Sequence, residues 1–355
     1  MVRRFLKIII FTGLLITSCQ QIPINESNKK FVGDNIDKQN LEIDLKKQEK
    51  IISYHSDIWS YILTNSSYTS DGLDEQTLMY MNRHLQDLDK FKEFLNDSYY
   101  FIFFVIEELE NAKLPIELAF LPYIESNYDP FSISSSGAVG MWQFMPRTGR
   151  TYDLERSWWN EDRHDPFKST SAAIKYLKYL YERFDQDLYL TLAAYNAGPS
   201  FLDRQIKRNQ RRGLNTDYWS LDLPIQTRNY VPKFIAIKEL IINSDQYDIE
   251  LPFIPYEPVV AKIEIPGQVE ILTLSEYLNI KPELLYKLNA GYTKWASAPS
   301  EKSVFYIPIE QYDYFQTSEN PFSDSNQINW ISHTVETGDS LWSLARKYDT
   351  EVRII

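Results

Sequence analysis

A change of sequence pattern at Leu251 divides this 355-residue chain and most limits its fold. From about residue 50 to 245, apolar residues recur at three- and four-residue spacing, as at Ile174, Leu177 and Tyr181. This is the period of an amphipathic helix. After Leu251, prolines cluster, and valines and isoleucines alternate with charged residues in VVAKIEIPG, which is typical of short strands. The sequence therefore predicts a mainly α-helical domain followed by smaller modules that mix strands and helices.

The same patterns predict where the segments of the chain begin and end. The predicted segments are a signal peptide at 1–19, a polar tether at 20–48, an α-helical domain at 49–250, an α+β module at 251–316, a polar linker at 317–332, and a C-terminal segment at 333–355. Two stretches, LSEYLNIKPELL (274–285) and LARKYDTEVRII (344–355), align without a gap as a faint repeat. Ser169 and Thr170 are possible caps of the helix that contains Ile174.

The N-terminus has the pattern of a secretory signal. Three basic residues precede an apolar stretch over 8–16, which is too short to span a bilayer comfortably. Cys19 is the only cysteine and stands where this stretch ends. The arrangement resembles the lipobox of bacterial lipoproteins, in which the signal is cut before a cysteine that becomes lipidated. Gln20 then favours the outer membrane, and the alternative is an ordinary signal peptide with an incidental cysteine.

The overall composition excludes some classes of partner. The formal net charge is −12, and removing the basic signal would make it more negative, so the overall field does not favour nucleic acid. One cysteine gives no disulfide framework, and four histidines without ligand spacing give no metal site. An aromatic content of 15% suits a sugar-stacking surface and an aromatic core equally well.

Glu125 ends a long apolar run that begins at Leu114. If 114–126 is helical, Leu118, Leu121 and Pro122 share the face of Glu125. A carboxyl group on the apolar side of its helix keeps its proton near neutral pH, as a general acid acting on a glycosidic oxygen requires. Taken alone, Glu125 has an alternative interpretation as a solvated residue at a helix end.

Further downstream, SSGAVGMWQFMPRTG (135–149) has the composition of a ligand-binding loop. Gly137 and Gly140 allow close approach of the backbone, Trp142 offers a stacking face and Gln143 offers hydrogen bonds. The alternative interpretation is a turn that starts a helix.

Two more polar and aromatic blocks follow. LAAYNAG (192–198) places Tyr195 and Asn196 at the C-terminal end of a helix, where both can project into a groove. IQTRNYVPK (225–233) contains Tyr230 in a similar polar and aromatic setting.

In this order, the blocks resemble the catalytic domain of soluble-type lytic transglycosylases. The family has ES, a GLMQ-like loop, AYNAG and a tyrosine before a final helix. Here these are Glu125-Ser126, Gly140 to Gln143, Ala194 to Gly198, and Tyr230. The resemblance places the catalytic core at about 110–245. This chain has Met141-Trp142 where the family more commonly has Leu-Met. The difference would affect the shape of the substrate-binding groove. With the lipobox, the chain resembles the membrane-bound branch of lytic murein transglycosylases.

The resemblance implies a lysozyme-like α-helical domain whose groove binds alternating N-acetylglucosamine and N-acetylmuramic acid. Glu125 would protonate the leaving oxygen and then accept a proton from the 6-hydroxyl of muramic acid, which closes a 1,6-anhydro ring. No second carboxylate, metal or cofactor would be needed, in contrast to two-carboxylate glycosidases. The residues that would bind substrate are Ser126, Met141, Trp142, Gln143, Tyr195, Asn196 and Tyr230.

The C-terminal segment resembles the start of a lysin motif, a small βααβ module that binds glycans containing N-acetylglucosamine. The resemblance rests on HTVETGDSLWSLARKYDTEV (333–352). The sequence ends at Ile355, so this copy is expected to be incomplete, poorly packed and without glycan affinity. The module at 251–316 looks like a divergent relative that lacks the GDSL signature. Both a glycan-binding role and a packing role stay open for it.

Two other functions remain as alternatives. A goose-type muramidase, which hydrolyses the same bond, would need a second acid to activate water, and Asp129, Asp153, Asp162 and Asp165 are available. A non-catalytic, lipid-anchored glycan-binding protein would not need Glu125 at all.

Overall fold

A computed structural model of the chain describes residues 57–66, 73–319, 322, 333–348 and 352. The predicted signal peptide, Cys19, the tether and most of the linker lie outside the described residues.

Helices dominate the described part of the chain, so the predicted mainly α fold is confirmed. The α-helices are α1 (Ile58–Asn65), α2 (Glu75–Leu85), α3 (Leu88–Asn96), α4 (Ile102–Ala112), α5 (Leu121–Ser126), α6 (Pro146–Thr151), α7 (Pro166–Arg183), α8 (Leu188–Ala197), α9 (Pro199–Arg211), α10 (Ile225–Arg228), α11 (Tyr230–Ile242), α12 (Ile271–Leu278), α13 (Pro282–Leu288), α14 (Tyr312–Thr317) and α15 (Leu341–Lys347). Short 3₁₀ helices lie at Ile116–Phe120, Tyr218–Ser220, Ser244–Tyr247 and Ile309–Gln311. None of the helices in the described ranges is long and apolar enough to span a membrane.

Aspartate side chains cap several of these helices. Asp74, Asp87, Asp165 and Asp187 accept hydrogen bonds from backbone N–H groups in the first turns of α2, α3, α7 and α8. The caps expected at Ser169 or Thr170 are therefore wrong, because α7 begins one turn earlier, at a proline that suits the first helical position.

The apolar run before Glu125 folds as two elements rather than one. A 3₁₀ helix covers Ile116–Phe120, and α5 then covers Leu121–Ser126, so the condition of one continuous helix over 114–126 is not met. Pro122 lies in the first turn of α5, where its missing N–H costs no helical hydrogen bond. Asn127, with φ of 59°, ends α5 directly after the glutamate.

A single apolar core extends through the helices from α1 to α11. The helix α11 lies at its centre, since ten of its side chains are buried, and α11 makes extensive contacts with α2. Long-range packing of this kind supplies most of the stability of short helices.

A small module with the chain order β1–α12–α13–β2 follows the helical part. Strands β1 (Val260–Pro266) and β2 (Lys302–Pro308) are antiparallel, with Ile263 opposite Phe305. Alternate side chains of both strands point inward and pack on Leu274 and Leu285 of the two helices. The boundaries of this module at 251 and 316 stay predictions.

Residues 333–348 form a short segment that contains α15. Ser340 and Ser343 form a reciprocal capping box at its start. His333 lies 2.8 Å from both the Tyr348 hydroxyl and an Asp339 carboxylate oxygen.

Candidate active site

Glu125 lies at the C-terminal end of α5 and is only partly buried. Its Oε1 accepts a hydrogen bond from the hydroxyl of Tyr230. Burial raises the pKa of the Glu125 carboxyl to about 7, against the opposing effects of the Tyr230 hydrogen bond and the Lys233 charge. Near neutral pH, a substantial fraction of Glu125 therefore carries its proton.

Tyr230 comes from α11, 105 residues further along the chain. Its side chain is buried, and burial raises its own pKa well above the usual value, so it stays a hydroxyl donor. Lys233 lies one turn later on the same helix, and its charge lowers the pKa of Glu125. The fold thus places a hydrogen-bond donor, the Tyr230 hydroxyl, and a positive charge, that of Lys233, beside the Glu125 carboxyl.

Ser126 connects α5 to the predicted ligand-binding loop. Its hydroxyl donates to the carbonyl oxygen of Met141 at 2.8 Å. Gly140, the residue before Met141, has φ of +82°. A Cβ atom added to Gly140 would lie 1.9 Å from the carbonyl oxygen of Arg163. Only glycine combines this backbone conformation with so close an approach.

The side chains of Met141 and Trp142 are completely buried. The Trp142 indole N–H donates to the Thr170 hydroxyl on α7 at 2.9 Å. The predicted stacking face of Trp142 is therefore wrong, because the ring packs in the core and cannot meet a sugar. Both residues reach the site only through their carbonyl oxygens, and that of Trp142 accepts from the Tyr195 hydroxyl at 2.8 Å.

Gln143 holds the turn of the same loop. It has φ of 49°, and its Nε2 donates to the carbonyl oxygens of Gly140 at 2.9 Å and Ser132 at 3.3 Å. No side-chain or backbone group in the described ranges donates to its Oε1, which is therefore available to accept a hydrogen bond.

Tyr195 and Asn196 lie at the end of α8, as predicted, and are partly exposed. Asn196 Oδ1 accepts from the hydroxyl of Thr227 at 2.9 Å. Burial and the Glu125 charge raise the pKa of Tyr195, which places its ring in the electrostatic environment of the acid. Four blocks that are far apart in sequence are thus joined by hydrogen bonds around Glu125.

A buried ion pair holds the loop from behind. The Arg163 guanidinium binds both carboxylate oxygens of Glu161 at 2.8 and 3.0 Å. It also donates to the carbonyl oxygens of Gly137 at 3.2 Å and Phe144 at 3.0 Å. These contacts give Arg163 and Glu161 a structural role, since buried charges need partners.

The comparisons with known proteins agree with this geometry. Residues 104–217 match the model of the transglycosylase SLT domain, and residues 333–355 match that of the LysM domain. The chain is 30% identical over 313 residues to membrane-bound lytic murein transglycosylase D of Escherichia coli K12, covering 83% of this chain and 68% of that protein. This chain belongs to the lytic murein transglycosylase family.

Other members of the family match shorter parts of the chain. Membrane-bound lytic murein transglycosylase F of Alcanivorax borkumensis is 33% identical over 108 residues, covering 29% of this chain and 22% of that protein. The 70 kDa soluble lytic transglycosylase of Escherichia coli matches 52% of this chain and 32% of its own, with 17% identity and a TM-score of 0.33.

Two residues in the site of this lytic transglycosylase were not predicted from its sequence. Thr227 and Lys233 lie three residues before and three residues after Tyr230. Helical spacing would have placed both near the face of Tyr230, so the signal was present. Lys233 also lies beyond the matched span of 104–217, as Tyr230 does.

Three of the four aspartates that a hydrolase could use make hydrogen bonds or ion pairs of their own, and the fourth lines another cavity. Asp129 accepts from the Phe131 N–H at 2.9 Å, Asp162 pairs with Lys168 at 2.8 Å, and Asp165 caps α7. Asp153 lines a separate cavity beside Phe104 and Lys175. Within the described part of the chain, no cluster of acidic, histidine or cysteine side chains could hold a metal ion.

Proposed function

We propose that this protein cleaves the β-1,4 bond between N-acetylmuramic acid and N-acetylglucosamine in peptidoglycan without water, leaving 1,6-anhydro-N-acetylmuramic acid ends. The observation that carries the proposal is the single Glu125 carboxyl, held partly buried with its pKa raised to about 7. It rests also on membership of the lytic transglycosylase family.

Glu125 is suited to act first as an acid. Tyr230 holds Oε1, and no hydrogen bond from the described residues reaches Oε2, so Oε2 is the oxygen that carries the transferable proton. It protonates the glycosidic oxygen as the bond to the muramic acid C1 breaks. A general acid with a pKa near the working pH serves this step best.

The resulting carboxylate then acts as the base. It takes the proton of the muramic acid 6-hydroxyl as that oxygen attacks C1, which closes the anhydro ring and restores the Glu125 proton. The nucleophile belongs to the same sugar, so its effective concentration far exceeds that of a random encounter. No second carboxylate is required, which fits the structural engagement of Asp129, Asp162 and Asp165.

The surrounding polar groups provide positioning for the sugar. Gln143 Oε1 can accept from an acetamido N–H, and the partly exposed Asn196 can donate through its amide nitrogen. Tyr195 and Ser126 hold the loop through the carbonyl oxygens of Trp142 and Met141. Their contribution is to orient the groups that touch substrate.

The setting of the reaction follows from the substrate. Peptidoglycan lies in the cell envelope, and the predicted lipidation of Cys19 would tether the enzyme to the outer membrane. The C-terminal LysM match at 333–355 suits a contact with glycan strands, in contrast to the expectation that this copy has no glycan affinity. The module at 251–316 remains a packing or glycan-binding element.

Mass spectrometry of digested murein sacculi tests the proposal. We expect the new ends to be lighter by one water than hydrolysed ends and to resist borohydride reduction. Glu125→Gln keeps the size of the side chain but removes the proton, so the rate should fall by about 10²–10⁴-fold. Reducing ends would instead favour the goose-type muramidase, and a near wild-type rate for Glu125→Gln would remove Glu125 from its role.

A further inference from the structure

A cavity of about 280 Å³ opens beside the acid, between α2, α3, α5 and α11. Ile124, the residue before Glu125, and Lys233, whose charge acts on Glu125, both line it. Its volume lies just below the range of about 300–1,000 Å³ typical of sites for small molecules. The cavity is therefore suited to a small group next to the reacting sugar rather than to a further length of glycan.

The lining of this cavity combines apolar surface with positive charge. Tyr80, Phe94 and Ile124 supply the apolar part, and Arg83 and Lys233 supply the charge. Both cations lie over the Tyr80 ring, at 5.2 and 5.5 Å from its centre. In the described part of the chain, neither is paired with a carboxylate, and Arg83 makes only a 3.9 Å contact to the sulfur of Met79.

The absence of acids from this lining is unusual in a chain with a net charge of −12. The neighbouring cavity along α3 also contains Arg83 but is lined by Asp87, Glu93 and Asp97. His84 lines both cavities, and burial lowers its pKa, so it adds no charge at neutral pH. Of these two cavities, only the one beside Ile124 has cations and no carboxylate in its lining, which favours an anionic ligand.

The proposed reaction determines what lies next to this cavity. Glu125 must touch the oxygen on C1 of muramic acid, so the muramic acid ring lies beside α5. The same ring carries a lactyl ether on C3, and the peptide stem of peptidoglycan is attached there. The stem has small aliphatic side chains, which suit the apolar wall of the cavity. It also has free carboxylates, which suit the two cations.

We propose that the cavity formed by Tyr80, Arg83, Phe94, Ile124 and Lys233 binds the peptide stem of the muramic acid residue at the cleavage site, with Arg83 holding a stem carboxylate. The proposal rests on the proposed function. The helices α2 and α3, which lie before the matched SLT span of 104–217, then determine which strands the enzyme prefers.

The test compares the rates of the full-length protein on two substrates prepared from the same sacculi. One keeps its stems, and the other has been stripped by an amidase, which leaves a lactyl carboxylate. We expect a higher kcat/KM on strands that keep their stems. Arg83→Ala should lower the ratio of the two values by at least about tenfold, the size of one charged hydrogen bond, and Arg83→Lys should recover part of the ratio.

Arg212→Ala is the matched control, because it removes an exposed arginine that lies after α9 and outside this cavity. It should leave the ratio unchanged. An unchanged ratio in Arg83→Ala overturns the proposal, and a preference for stripped strands assigns the cavity to the lactyl carboxylate instead. The chemical form of the new ends, measured on the same digests, reports separately on the proposed function.

Discussion

The contact between Tyr230 and Glu125 balances two opposing effects on one acid. Burial raises the pKa of Glu125, and the Tyr230 hydrogen bond lowers it. The acid is protonated below its pKa, so activity that needs the proton is present below about pH 7 and is lost as the pH rises through this value.

Tyr230→Phe removes the hydrogen bond and keeps the ring. The pKa of Glu125 should then rise, because a cause that lowers it is gone. We expect the high-pH limb of the kcat/KM profile to move to higher pH, measured with soluble glycan strands. Tyr179→Phe, at an exposed position on α7, serves as control, and superimposable profiles for Tyr230→Phe and wild type would contradict the prediction.

Residue types in the sequence predicted the acid better than they predicted its surroundings. Glu125 was predicted from the apolar residues before it, and it does lie partly buried. Trp142 was misjudged because its direction depends on the turn at Gly140 and on a hydrogen bond to Thr170, 28 residues away. Sequence patterns report local periodicity and cannot show which side of a loop faces the core.

Two buried residues of opposite charge, which act on each other electrostatically, lie on the elements that hold Glu125 and Tyr230. Glu117 lies on the 3₁₀ helix before α5, and Lys238 lies on α11, and both side chains are almost completely buried. Burial lowers the pKa of Lys238, and the charge of Glu117 opposes this. Ser66 also donates to Glu117 Oε1 at 2.6 Å, so the carboxylate has support from α1 as well.

Lys238→Met should destabilise the protein by about 3–5 kcal/mol, because it removes the cation from a buried carboxylate. Adding Glu117→Gln should restore much of this loss, since the uncompensated charge is then gone as well. Denaturant unfolding measures both, and Lys207→Met, at an exposed position on α9, controls for the substitution. Equal destabilisation in the single and double variants would show that the two charges do not depend on each other.

The sequence predicted the helices more reliably than it predicted their ends. Periodicity gave the helical part, but Pro122 divided the run before Glu125 and Asp165 moved the start of α7. Each difference comes from a single residue. Pro122 lacks a backbone N–H, and the Asp165 side chain accepts hydrogen bonds from backbone N–H groups at the start of α7. The pairing of Glu117 with Lys238 spans more than a hundred residues and leaves no local signal.

At the scale of the molecule, the βααβ module is attached to the helical domain rather than separate from it. The backbone N–H groups of Glu161 and Thr293 donate to the carbonyl oxygens of Gly291 and Trp159 at 2.9 and 2.8 Å. Leu288 of α13 belongs to the same core as the helices α1 to α11. The change of pattern at Leu251 predicted a module but gave no indication of this contact, because the residues that meet are far apart in sequence.

An aromatic stack lies at the contact between the βααβ module and the helical domain. It allows the contribution of this contact to the stability of the helical domain to be measured. Tyr306 of β2 stacks on Phe167 of α7, with ring centres 3.7 Å apart and planes 17° apart. Phe167 packs in turn on Phe101 and Phe104 beside α4. Because the stack connects the module to the core of the helical domain, losing it should weaken the domain that contains Glu125.

Tyr306→Ala should therefore destabilise the helical domain by about 2 kcal/mol, a typical loss for a partly buried aromatic side chain. We expect faster heat inactivation of murein cleavage, measured as residual activity after timed incubation. Tyr277→Ala is a matched control, because Tyr277 is also partly buried but contacts Tyr314 of the module and Phe322 of the predicted linker. If both variants lose activity at the same rate, the stability of the helical domain does not depend on the stack, and the module is attached without supporting it.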